Sequence, residues 1–72
     1  MTDIEKNQKI NNLRIAAKQL RNRIDLLIIE RNRLIGRVNP HFIEGLTIAI
    51  DEAEGKFIAM TNEANALAAP HA

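Results

Sequence analysis

Cysteine, tryptophan and tyrosine are missing from this 72-residue chain, and phenylalanine occurs only twice. Without cysteine there is no disulfide framework, no thiolate nucleophile and no cysteine-type zinc site. A reducing compartment suits such a chain, and nothing in it requires export. The scarcity of aromatic rings removes the stacking platforms that bind single-stranded nucleic acid, because Phe42 and Phe57 both fall on or beside an apolar seam. Excess charge of one sign is missing too: ten basic against nine acidic residues leave a net +1, which excludes a general polyelectrolyte binder and an acidic nucleic-acid mimic. Long apolar runs are also absent, the longest being Leu26 to Ile29, and Met1 to Lys9 is polar with mixed charge. Neither a signal peptide nor a membrane span is therefore expected, and the expected location is the cytoplasm.

Chain breakers are few: Pro40 and Pro70, with Gly36, Gly45 and Gly55. The one real division falls between Gly36 and Pro40. Upstream, Ile10, Leu13, Ala17, Leu20, Ile24, Leu27, Leu34 and Val38 follow the alternating 3,4 spacing of one helix face, with Arg31 in its only polar slot. Thr2 followed by Glu5 reads as a capping box, and Gly36 can adopt the left-handed conformation that ends a helix. Helix 1 is placed at about 3–36. Downstream, Ile43, Leu46, Ile50, Ala53, Phe57, Met60, Ala64 and Leu67 repeat the alternation. Asn39 before Pro40 reads as an N-cap followed by a first helical residue whose N–H is not missed. Helix 2 is placed at about 40–66, after a turn at 37–39 and before a short C-terminal tail. A single kinked helix is disfavoured, because the first seam extended forward meets His41 and Gly45, and because the residue before proline avoids helical geometry.

The expected fold class is therefore all-α, an antiparallel two-helix hairpin in one small domain. Folding Leu34 onto Ile43 brings Leu27 to Ile50, Ile24 to Ala53, Leu20 to Phe57, Ala17 to Met60, Leu13 to Ala64 and Ile10 to Leu67. Most layers pair a larger side chain with a smaller one, as close packing requires. Residues 1–39 carry nine basic and four acidic side chains, whereas residues 40–72 carry one basic and five acidic, so the two halves attract. Arg21 with Glu54, Glu52 with Lys56 and Glu5 with Lys9 are the expected ion pairs, each worth only a few tenths of a kcal/mol. Two helices cannot enclose a core: Leu26 to Ile29 face too many directions, and Ile35, Phe42, Ile48, Ala49 and Ile58 lie off the seam. A homodimer forming a four-helix bundle is expected, with Leu13, Leu20, Ile24, Leu27, Ile28, Leu34, Ile43, Leu46, Ile50, Phe57 and Met60 in its core.

Motifs that carry chemistry are sparse. Leu13, Leu20, Leu27 and Leu34 are spaced by seven, as in a leucine zipper, but residues 1–12 lack the continuous cationic helix of a basic-region zipper protein. Core packing accounts for the spacing. No Gly-rich phosphate loop, zinc spacing or Ser/His/Asp arrangement is present, and His41 and His71 lie far apart, so no metal, cofactor or catalytic residue is assigned. Arg31 in the seam needs a partner or a path to water. It is expected to reach towards Glu44 or a carboxylate of a partner chain and so specify register. Arg14, Lys18 and Arg21 recur at spacings of four and three, forming a cationic stripe beside the seam, and this stripe is the candidate partner surface.

Two resemblances add to this reading. Leu13-Arg14, then Glu30-Arg31, Leu34 and Val38, are similar at these spacings to the first helix of the all-helical chorismate mutases. That resemblance implies two arginines that grip substrate carboxylates, although the family's next lysine falls on Phe42 and its later catalytic helix has no counterpart here. Along the whole length, Ile29-Glu30-Arg31, the turn from Val38 to Ile43 and the acidic run Asp51 to Glu54 resemble the small helical-hairpin proteins of the exo–xis early region of lambdoid bacteriophages. This second resemblance implies a homodimeric, non-enzymatic protein in the host bacterial cytoplasm that biases lysis against lysogeny through host or phage protein partners. Alternatives are a nucleic-acid-binding regulator and a small mutase-like enzyme.

Overall fold

The computed structural model describes residues 2–69. They form two helices, α1 (Asp3–Leu34) and α2 (Pro40–Ala68), packed side by side in a rod measuring 52 × 18 × 14 Å. The all-α hairpin expected from the two 3,4 seams is the observed architecture. Its antiparallel sense is fixed by cross-helix contacts at both ends, Lys9 to Glu63 and Arg31 to Thr47.

Each boundary has a local cause. Thr2 caps α1: its hydroxyl accepts the Glu5 N–H at 3.2 Å, and its carbonyl accepts the Lys6 N–H at 2.9 Å. Asp3 and Glu5 in the first turn, with Arg31 and Arg33 in the last, complement the helix dipole. Helical hydrogen bonding ends at Leu34, two residues before the glycine signal, because Gly36 already adopts φ 81° and turns the chain away. The Ile35 N–H closes on the Arg31 carbonyl at 3.1 Å, and the Arg37 N–H on the Leu34 carbonyl at 2.9 Å. Asn39 then caps α2, its side-chain oxygen accepting the His41 N–H at 2.8 Å with Pro40 in the first helical position. Helix α2 continues two residues past the expected end through the good helix formers Leu67 and Ala68. Pro70 and His71, in the expected tail, lie outside the described residues.

The core is thin. Among the described residues only Ile10, Ala17, Ile24, Ile50 and Ala64 are buried, with Ile24 at 0% and Ile50 at 2% exposure. Burial divides each 3,4 seam into two columns at heptad spacing. On α1 the inner column is Ile10, Ala17, Ile24 and Arg31, and the outer is Leu13, Leu20, Leu27 and Leu34. On α2 the inner column is Ile43, Ile50, Phe57 and Ala64, and the outer is Leu46, Ala53, Met60 and Leu67. Every outer-column residue is half-buried, as are Ile28, Ile43 and Phe57. Of the expected core, then, Ile24 and Ile50 are enclosed within one hairpin, while Leu13, Leu20, Leu27, Ile28, Leu34, Ile43, Leu46, Phe57 and Met60 still show part of their surface to solvent. Leu26, Ile29, Ile35, Phe42, Ile48 and Ile58 are exposed, as the off-seam reading expected. Among the described residues, no helix is long and apolar enough to cross a membrane.

Candidate interaction surface

The cationic stripe of α1 forms one wall of an open groove between the helices. Arg14, Lys18 and Arg21 line it together with Asn22. Ala17, Phe57 and Ala64 make its floor, and Thr61 and Asn65 of α2 form the opposite wall, enclosing about 350 Å³. The helical repeat explains this grouping. Residues 14, 18 and 21 lie on the flank of α1 turned away from the leucine column, and 61 and 65 lie on the same flank of α2. An apolar floor with cations along one wall suits an amphipathic acidic segment, whose carboxylates would meet the stripe while its apolar side covers Phe57.

The three cations are not equivalent. Arg21 does not pair with Glu54, as its flanking position had suggested. Its guanidinium lies 3.2 Å from the Asp25 carboxylate one turn along the same helix and 5.8 Å from the centre of the Phe57 ring. The i,i+4 reach to Asp25 on α1 and the Phe57 ring face on α2 together hold it away from Glu54. Arg14 and Lys18 have no carboxylate within 4 Å among the described residues. The other two expected pairs also differ: Lys9 bridges to Glu63 across the hairpin at 3.4 Å instead of to Glu5, and Lys56 makes no ion pair with Glu52. The four residues that do pair, Lys9, Glu63, Arg21 and Asp25, are each about half exposed, so their ion pairs contribute little to stability.

Arg31 is half-buried, and its partner is Thr47, not Glu44. The guanidinium Nη1 donates to the Thr47 hydroxyl oxygen at 3.4 Å, while Glu44 turns to His41, 3.9 Å away. Thr47 in turn donates to the Ile43 carbonyl at 3.1 Å. The Arg31 Nε is buried without an acceptor. Sequence reasoning overlooked Thr47, although the signal was present: it is a polar residue beside the second seam, next to Leu46, the residue that the hairpin register sets opposite Arg31. It likewise overlooked the stacking of Arg21 on Phe57, which follows from the Leu20–Phe57 layer.

The two arginines of the mutase-like pattern do not converge within a chain. Arg14 lines the groove and Arg31 sits in the seam, and seventeen residues of helix separate them by roughly 25 Å. Among the described residues, no three His, Asp or Glu side chains gather as a metal site. Comparison with protein-family models, with curated proteins and with solved structures returned no match.

Proposed function

We propose that the chain is a non-enzymatic interaction protein that works as a homodimer and regulates a larger process by docking a protein partner. The observation that carries this reading is unsatisfied surface. The chain exposes 5608 Å², whereas a compact monomer of its 8.1 kDa exposes only about 4,500 Å². The surplus of about 1,100 Å² is somewhat more than the roughly 800 Å² that one partner gives up in a standard complex. Half-buried leucines make much of that surplus apolar, so a second copy stabilises the fold that one hairpin leaves incomplete.

The groove of Arg14, Lys18 and Arg21 is the proposed docking surface for an acidic protein segment, since Arg14 and Lys18 hold positive charge that no carboxylate among the described residues neutralises. The likeness to the early-region hairpin proteins of lambdoid phages supports a regulatory role in the host cytoplasm, in the choice between lytic and lysogenic growth. The test is a pair of charge reversals, Arg14→Glu with Lys18→Glu, which spare Arg21 and its contacts. Helicity and chain mass in solution should be unchanged, while a protein retained from bacterial lysate by the wild type should be lost. Equal retention by the double variant contradicts docking at this groove. Duplex DNA serves as the comparison ligand. A salt-sensitive gel shift, with a log–log slope of roughly −0.9 per phosphate contacted, would favour a nucleic-acid role for the same stripe.

A further inference from the structure

Resting on the homodimer proposed above, we infer that the second copy covers the leucine side of the hairpin, and that the twofold axis runs along the rod with both turns at the same end. The two flanks of the hairpin differ in kind. One carries the groove, with Arg14, Lys18, Asp25 and Asn65. On the other lie the outer columns, Leu13, Leu20, Leu27 and Leu34 on α1 and Leu46, Ala53, Met60 and Leu67 on α2, all half-buried. Helical geometry places both outer columns on the same flank, because in an antiparallel pair a residue three positions after an inner-column residue turns to the same side on each helix. Exposed Phe42 and Ala49 extend this apolar band on α2. The second copy is the occupant that the area requires. Two such bands facing each other remove apolar surface from both chains at once, and the surplus of about 1,100 Å² per chain is what a stable dimer buries.

Charge decides the axis. Residues 1–39 sum to +5 and residues 40–72 to −4. A twofold across the rod would lay each α1 on its own copy, like charge on like charge. A twofold along the rod lays each α1 on the partner's α2, so that every neighbouring pair of helices is antiparallel and opposite in charge. That axis also preserves level along the bundle. Leu20 of one copy then falls between the partner's Met60 and the partner's Ala53, and Leu27 between the partner's Ala53 and the partner's Leu46, as knobs enter holes. The cationic grooves remain on the two outer faces, one per copy.

The cysteine-free sequence makes the test direct. Ala49→Glu puts a carboxylate on the leucine side at a position exposed in the single hairpin, and Ile58→Glu does the same on the opposite flank. Sedimentation should show the wild type and Ile58→Glu at twice the chain mass and Ala49→Glu at the chain mass, each with unchanged helicity. A spin label at Arg37→Cys, in the turn, should give an inter-copy distance well under half of the 52 Å rod length. A wild type at single-chain mass contradicts the homodimer itself. A dimeric Ala49→Glu contradicts only the chosen face. Turn labels separated by about the full rod length contradict only the axis.

Discussion

Replacing Arg31 by leucine should stabilise the protein, although it removes a hydrogen bond that joins the two helices. Arg31 interrupts an otherwise apolar inner column, its Nε is buried without an acceptor, and its one contact with Thr47 is long at 3.4 Å. An orphaned buried donor costs about 1–3 kcal/mol. Burying a leucine in its place contributes about 1.5–3 kcal/mol, less what the arginine methylenes already contribute. No new orphan is created, because the Thr47 hydroxyl keeps its bond to the Ile43 carbonyl at 3.1 Å. The net expectation for Arg31→Leu is a gain of about 1–2 kcal/mol, in line with other buried charges replaced by well-packed apolar groups. For a chain of this size that is a rise in Tm of roughly 5–15 °C. Thermal unfolding must be compared at one chain concentration, since assembly shifts the midpoint. The companion Thr47→Val leaves Arg31 without its acceptor and should destabilise by about 1 kcal/mol. If Arg31→Leu instead lowers stability by more than about 1 kcal/mol, Arg31 has a carboxylate partner across the dimer, and the reading of its burial is wrong.

Ile24→Ala, at a fully enclosed site, should cost about 2–5 kcal/mol, whereas Leu26→Ala, at 67% exposure, should change stability by less than about 0.5 kcal/mol; urea unfolding separates the two. The glycines should respond in opposite directions. Gly36→Ala forces a side chain into φ 81° and should destabilise by about 1 kcal/mol, while Gly55→Ala, where a methyl group meets nothing within 4 Å, should stabilise by about 0.5–1 kcal/mol. Incubation with chorismate should yield no prephenate above background; turnover abolished by Arg14→Ala would overturn the non-enzymatic reading.

The helices and the turn were legible because each rests on local physics: a 3,4 apolar period, Thr2 and Asn39 as caps, Pro40 where a missing N–H is harmless, and a change of seam phase at Ile43. The division of that seam into enclosed and half-open columns was not legible. Leu20 and Ile24 share one periodicity, and spacing alone cannot say which of them points at the neighbouring helix and which at a further one. The side-chain partners were lost for a related reason. Arg21 had carboxylates within reach on both helices, Asp25 and Glu54, and rotamer and ring contacts chose between them. Arg31 found a hydroxyl where a search for opposite charge looked only for an acid. The groove was half visible, since its cations stand out in sequence, but its floor of Ala17, Phe57 and Ala64 exists only once the helices are packed.

Sedimentation equilibrium of the unmodified chain at micromolar concentration tests the central claim most directly, because the surplus surface has no other relief within a single hairpin. A single species at twice 8.1 kDa, dissociating to single chains only on dilution below the micromolar range, is the predicted result. A helical species that stays at 8.1 kDa across the same range contradicts it.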